Sequence, residues 1–451
     1  MSAKQNRTML RPWSAIMLIV ANMVGTGIFT TTGIIAVNLP NAYLILACWL
    51  AGGLIALSGA LSYTELSTRM PEAGGEYVYL KKLYHPVVGF LSGWTSFFVG
   101  FSAPIAAAAI SFSVYVLGHE AHSDPTGRFL ASGVILVLTF IHFAGLKTGA
   151  AVQNGLTIIK ILIIAILATA GLLLVDRVDF VLPVEGLEKA GWAAYGPALL
   201  FVMFAYSGWN ASTYIATELA EPRKTLQKSL LWGTLAVISL YLLLHIFILS
   251  AVPITALQGR INGVEIAAVS VFGPWLGEIF GWLVAVALLS SLSAYIMLGP
   301  RVYFAMAKDR LFFAFAGRIH KRYGVPSTAV LLQGAVAIAM ILLGTFEQLL
   351  VYIGFALSLF PVLAVAGLFI ARQRRIGETS VVRVWGYPIV PLFFIVTNIL
   401  IMYFAFASRP LESLVAIATV MAGIPIYYLV SHKNRRDDSL AEAKPLSEIS
   451  R

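Results

Sequence analysis

Apolar runs of about 20 residues, the length that crosses a bilayer core as a helix, recur twelve times along this chain and leave no room between them for a soluble domain. They cover approximately residues 14–37, 41–64, 86–117, 128–146, 151–175, 194–217, 228–252, 272–305, 326–345, 348–371, 387–407 and 411–431. Several exceed what a bilayer requires, which implies tilt or extension past the membrane rather than further spans. A soluble chain carries about 25% charged residues, whereas here 12% are charged and 59% hydrophobic. The expected fold is an all-α polytopic membrane protein. No cleavable signal peptide is expected, because the apolar stretch after Arg11 is too long and further spans follow it.

The formal net charge of +10 does not point to nucleic acid, because the basic residues fall in short clusters between apolar runs rather than on one face. Cytoplasmic loops hold an excess of Lys and Arg. With the N-terminus inside, 25 of the 31 basic residues lie in inside segments and five (Arg128, Arg177, Lys189, Arg260 and Arg409) lie outside. The remaining one is Lys160, within the fifth run. Both termini are therefore expected in the cytoplasm, with an even number of spans. The single cysteine, Cys48, excludes an intrachain disulfide.

Two runs contain sequence that is poor helix. The first reads Asn22-Met23-Val24-Gly25-Thr26-Gly27-Ile28-Phe29, with two glycines around a β-branched residue, each glycine costing about 1 kcal/mol relative to alanine. A small-residue packing face is the alternative reading. A dinucleotide fingerprint is excluded, since no strand precedes the glycines and Thr30 occupies the sixth position. The sixth run contains Phe204-Ala205-Tyr206-Ser207-Gly208-Trp209-Asn210, placing polar groups at mid-membrane. The glycosylation sequon at Asn210 is a false match at that depth. Each break opens a block of five runs, and the two blocks enter the membrane from opposite sides. Interrupted segments at matching positions of two inverted halves mark the substrate site of a secondary transporter. Freed backbone groups survive in a bilayer only where they line a cavity. Half-helix N-termini suit an anion and half-helix C-termini a cation, so the pair suits a zwitterion.

These two strings, with Glu218-Leu219-Ala220-Glu221-Pro222-Arg223-Lys224 and Pro71-Glu72-Ala73-Gly74-Gly75-Glu76-Tyr77-Val78-Tyr79-Leu80, resemble the amino acid–polyamine–organocation superfamily. The likeness is to bacterial relatives of its L-type amino acid transporter branch and extends from about Trp13 to the twelfth run. It implies alternating access by two inverted five-helix repeats, 14–175 and 194–371, with two additional helices over 387–431, a cytoplasmic N-terminal segment 1–13 and a cytoplasmic tail 432–451. By the same resemblance, the substrate carboxylate meets backbone N–H groups around Gly25, Thr26 and Gly27. The amino group meets carbonyls of Met23, Phe204 and Ser207. Phe204 is the expected aromatic gate, and Gly208, Trp209 and Asn210 border the side-chain pocket. For Phe204 and Trp209 the alternative is ordinary core packing. Animal members carry a cysteine in the loop after the third span that joins a glycoprotein partner. The loop from Gly118 to Gly127 has none, so no disulfide-linked heavy subunit is expected.

Lys160 lies among aliphatic residues, nine positions past Ala151 and thus roughly 13 Å into a core about 30 Å thick. A charged lysine on a lipid face would cost about 2.5–3.5 kcal/mol, so it is expected to face the bundle interior. Two roles are open. A lysine held out of water releases its proton more readily and can act as a proton carrier. Alternatively it is a fixed cation bound to carbonyls of the first run and to the Ser290, Ser291 and Ser293 hydroxyls of the eighth. A lysine paired only for stability is the third possibility. The resemblance associates this position with the place of sodium in sodium-dependent cousins, which implies sodium independence.

Glu65, Glu218 and Arg301 are candidates for ion pairs at the cytoplasmic end, with interfacial anchoring the alternative for Arg301. His142 and His245 are expected to be packed and hydrogen-bonded. His119-Glu120-Ala121-His122 is one residue short of the zinc-protease spacing. No metal, cofactor, nucleotide or enzymatic chemistry is expected. Small residues at the first break, and no acidic neighbour in sequence beside Asn210, favour neutral amino acids. The alternatives are a polyamine or cationic amino acid carrier and, outside the class, a channel.

Overall fold

The computed structural model describes residues 10–72, 74–144, 146–175, 192–320, 323, 325–377 and 382–442, of which 146–154, 192–194 and 432–442 are described as helix backbone alone. Lys4, Arg7, Lys147, Arg177, Lys189, Lys321, Arg322 and the basic residues of the tail, all counted above for orientation, have no described side chain.

In chain order the α-helices are α1 (Pro12–Met23), α2 (Thr26–Asn38), α3 (Ala42–Arg69), α4 (Glu76–Leu83), α5 (Pro86–Thr95), α6 (Ala103–Leu117), α7 (Pro125–Phe143), α8 (Leu146–Leu174), α9 (Trp192–Ala205), α10 (Pro222–Ala251), α11 (Ile254–Leu257), α12 (Gly263–Phe272), α13 (Pro274–Lys308), α14 (Ser327–Leu343), α15 (Phe346–Gln373), α16 (Ile389–Ser408) and α17 (Pro410–Glu442). Among the described residues ten helical segments are long and apolar enough to cross a membrane, while Tyr195–Ala205 and Ser327–Leu343 are shorter apolar helices. No sheet forms among them; the single extended pairing is a bridge between Leu10 and Leu219. This all-helical architecture, with many apolar helices, makes the chain a multi-pass membrane protein.

The sequence sets the helix starts. Pro12, Pro86, Pro125, Pro222 and Pro274 occupy first-turn positions, where a missing N–H costs nothing. Asn41 caps α3 by accepting from the Tyr43 and Leu44 N–H groups, and Thr345 with Gln348 forms a capping box on α15. Between α5 and α6 the third span passes through a π-helical segment, Ser96–Ser102, whose Ser102 hydroxyl bonds to Phe97 O at 2.7 Å. Such segments re-aim side chains within a helix and recur at functional sites.

Apolar side chains such as Leu54, Val137, Ile158, Leu162 and Tyr403 are exposed around the rim, as expected of a belt facing acyl chains. The interior is built by α10 against α1 and α3, α13 against α6, α8 and α12, and α9 against α2 and α16. Leu10 N donates to Glu218 O, and Ala220 N to Leu10 O. The chain segment entering α1 is thereby tied to the segment leaving the second break.

Candidate functional site

The first break is two residues long. α1 ends at Met23, Val24 takes φ −70° and ψ 80°, Gly25 is extended, and α2 restarts at Thr26. The first N–H groups of α2, at Thr26, Gly27 and Ile28, have no intrahelical acceptor. Two polar side-chain atoms at this break, Thr26 Oγ1 and Asn22 Nδ2, are buried without a protein hydrogen-bond partner. An unpartnered buried polar atom costs about 1–3 kcal/mol, a cost that a polar ligand removes. The neighbouring threonines are spoken for: Thr30 donates to Thr26 O and Thr31 to Gly27 O.

The second break is longer. α9 ends at Ala205, residues 206–210 form turns, and the chain continues as a 3₁₀ helix over Ala211–Glu218. Gly208 has φ +96°, a conformation that disfavours any side chain, and a Cβ built there would lie 3.2 Å from the Asn22 backbone. A Cβ on Gly27 would come within 2.5 Å of Ala205 Cα. The two breaks therefore sit on each other through glycines, and Gly27, in the first turn of α2, is a packing residue.

Tyr241 on α10 joins them chemically. Its hydroxyl lies 2.5 Å from Met23 O and 2.9 Å from Ala205 O, so one proton bridges the last carbonyls of both half-helices. Met23 O also accepts from Gly25 N at 2.7 Å, which uses both of its lone pairs in this conformation. Phe204 O accepts from Ser207 N at 3.0 Å.

Lys160 is fully buried, while Ile158, Ile159 and Leu162 of the same helix are exposed, so α8 turns this lysine inward. Its ammonium donates to Ala21 O at 3.0 Å, Val24 O at 2.5 Å and Ser291 Oγ at 3.4 Å. Ser291 Oγ in turn lies 3.3 Å from Val24 O. The other two serines of the cluster go elsewhere: Ser290 pairs with Thr157, and Ser293 with His142 Nε2. The cation is thus held against carbonyls at the C-terminal end of α1, where the helix dipole is negative.

Beside the second break a cavity opens, lined by Asn22, Glu76, Ser96, Gly100, Phe101, Met203, Phe204, Ser207, Gly208, Trp209, Asn210, Tyr214, Tyr295 and residues of α15 and α16. Of the residues singled out in sequence, Phe204, Ser207, Gly208, Trp209 and Asn210 stand on its wall. Gly25, Thr26 and Gly27 are buried beside it, and the hydroxyl of the wall residue Tyr295 would lie 3.0 Å from a Cβ on Gly25. Trp209 packs edge-on to Tyr63 and Phe394, so it serves core and wall together.

Sequence spacing alone suggested no carboxylate near Asn210, and the structure corrects that. Glu76, from the start of α4, accepts from Asn210 Nδ2 at 2.6 Å and from the Tyr63 hydroxyl at 2.9 Å. Glu65 is a separate hub: its carboxylate binds Arg69 at 2.8 Å, Arg372 at 2.6 Å and Val384 N at 2.8 Å. Arg301 instead donates to Met297 O of its own helix. His245 bonds to Thr32 and Tyr241 O. Among the described residues no cluster of metal-ligating side chains forms. Asn22, Glu76, Tyr241 and Tyr295 received no role from sequence. Only Glu76, an acid directly after paired glycines in a family-like string, carried a signal that could have found it.

Comparisons with known proteins identify the family. The chain is 28% identical over 419 residues to the serine/threonine exchanger SteT of Bacillus subtilis, covering 92% of this chain and 94% of that one. It is 26% identical over 430 residues to the large neutral amino acids transporter small subunit 2 of Mus musculus, and 27% identical over 434 residues to the Asc-type amino acid transporter 1 of the same animal. Each of these covers 92% of this chain and 80% of the relative. Residues 10–430 match the amino acid permease family, and the chain belongs to that family.

Proposed function

We propose that this protein carries small or medium neutral L-amino acids across the plasma membrane by alternating access, independently of sodium, by exchange or proton coupling. The observation that carries this reading is the pair of seated breaks: free N–H groups of α2 with the unpartnered Thr26 Oγ1 and Asn22 Nδ2 at one, and Phe204 with the turn residues Ser207 and Asn210 on the cavity wall at the other. A carboxylate is served by the first and an ammonium by Phe204 and Ser207 O. The relatives' own substrates, serine, threonine and large neutral amino acids, support the neutral class.

The architecture in this reading is twelve spans, with the broken α9 segment and α14 completing the ten long ones. They form inverted five-helix repeats at 14–175 and 194–371, two additional helices at 387–431, and both termini in the cytoplasm with segments 1–13 and 432–451. No covalently attached heavy subunit takes part.

Uptake of labelled L-serine and L-leucine into vesicles containing purified protein tests the reading, with and without internal amino acid and with and without a pH gradient. Movement under at least one of these conditions is expected; none under any contradicts it. Glu76 on the cavity wall gives a specific reason to add L-lysine and putrescine. Because that carboxylate is already bonded by Tyr63 and Asn210, neither cation is expected to move faster than the neutral substrates.

Tyr241→Phe removes the proton bridging Met23 O and Ala205 O. A net hydrogen bond of about 1 kcal/mol predicts a roughly five- to tenfold slower exchange rate in the same vesicles, with the protein still folded.

A further inference from the structure

Among the described residues Glu76 is the one carboxylate on the cavity wall, and it belongs to α4, a helix outside the membrane-spanning segments. Gly74 and Gly75 precede it with φ +120° and +52°, and a Cβ on Gly75 would come within 2.9 Å of Thr213 and Tyr214. A side chain at Gly75 would hold α4 away from the 3₁₀ helix that follows the second break. With glycine there, Glu76 Oε1 reaches both Asn210 Nδ2 and the Tyr63 hydroxyl. Asn210 is a pocket wall residue, so one oxygen joins the loop helix to the pocket.

We propose that Glu76 is a positioning residue for this site: it latches α4 to Asn210 of the second break, tightly when its carboxyl is neutral and loosely when it ionises. The proposal rests on the transport reading for its consequence, since a loosened latch frees the second break to move.

The surroundings argue for this polarity. The groups facing Glu76 are Tyr63 from α3, Tyr214 and Asn210 from the second break, and Tyr79 from α4 itself. None is a cation. Lys81 and Lys82 of α4 are bound to Asp309 and Glu72. α5 brings no ionisable side chain, and Arg372 of α15 is held by Glu65. Both bonds end on a single oxygen, which the carbonyl of a neutral carboxyl accepts as well. Burial without a counter-charge pushes the Glu76 carboxyl up to about 7, against donors that pull it down. A carboxyl with a raised value in the latched state binds its proton more tightly there than when solvated. The latch is therefore fully stabilised at low pH and loses that stabilisation as pH rises through about 7. For a solvated value of about 4.3, the latch weakens roughly tenfold between pH 6 and pH 8.

The test uses full-length protein with the same pH on both faces of the membrane. Hydrogen–deuterium exchange over Glu76–Leu83, corrected for the intrinsic pH dependence of amide exchange, reads the latch without requiring transport. In the wild type, protection of this helix is expected to fall about tenfold from pH 6 to pH 8, and L-serine exchange to rise over the same range. Glu76→Gln, which retains the accepting oxygen and cannot ionise, is expected to hold the acid-side protection and the acid-side rate throughout. Tyr63→Phe removes a donor to the carboxylate and is expected to move the midpoint to higher pH. Equal slopes in wild type and Glu76→Gln, or a flat wild-type profile, overturn the latch. Should Glu76→Gln fail to fold, an unmoved midpoint in Tyr63→Phe overturns it. If wild-type vesicles exchange no amino acid while the protection profiles behave as stated, the transport reading has failed and the latch stands.

Discussion

Lys160→Met is expected to slow amino acid exchange at least about a hundredfold while leaving the protein folded. The lysine ammonium donates to Ala21 O and Val24 O, the carbonyls left over where α1 ends. Hydrogen bonds to charged groups are worth about 1.5–3 kcal/mol each. Losing two therefore removes more than the 2.7 kcal/mol or so that corresponds to a hundredfold change. Folding survives because methionine fills a similar volume and avoids the desolvation penalty of a buried charge, on the order of several kcal/mol per ion, which offsets the bonds lost in the folded state. Exchange rates in vesicles, beside a thermal-unfolding midpoint, separate the two effects. Exchange that persists with only its pH dependence lost assigns Lys160 the proton-carrier role instead of the fixed-cation role argued from its contacts.

Gly27→Ala is expected to lower the unfolding midpoint and abolish exchange together. The added methyl lies 2.5 Å from Ala205 Cα, a backbone atom that cannot rotate away. Overpacking of this kind costs about 1–3 kcal/mol, and relief requires the two breaks to separate, which dismantles the site. Gly133→Ala on α7 is the control: a Cβ there meets nothing within 4 Å, and alanine is the better helix former. Wild-type exchange in both variants would mean that the seat between the breaks carries no function.

The contrast between these two positions also explains what could be read before the structure. Gly25 and Gly208 were legible as breaks because weak helix propensity is written locally, and Lys160 because a charge in an aliphatic run has one tolerable direction to face. Both are properties of a single segment. Glu76 and Tyr241 were not legible, since their roles come from contacts across the fold: Asn210 is 134 positions from Glu76, and Met23 is 218 positions from Tyr241. The serine cluster illustrates the limit within one helix. Ser290, Ser291 and Ser293 point different ways around α13, and only Ser291 reaches Lys160. The direction of the inner-end ion pairs was likewise hidden, because Glu65 finds Arg372 at the far end of α15 rather than Arg301.

In this transport cycle a zwitterion is gripped at both ends between the two breaks. Competition against labelled L-serine exchange tests it most directly, using L-serine, its methyl ester, N-acetyl-serine and ethanolamine as competitors. L-serine alone is expected to compete, because the ester and ethanolamine lack the carboxylate for the first turn of α2, and N-acetyl-serine lacks the ammonium for the carbonyls of the second break. Equal competition by ethanolamine or by N-acetyl-serine would contradict the two-ended grip.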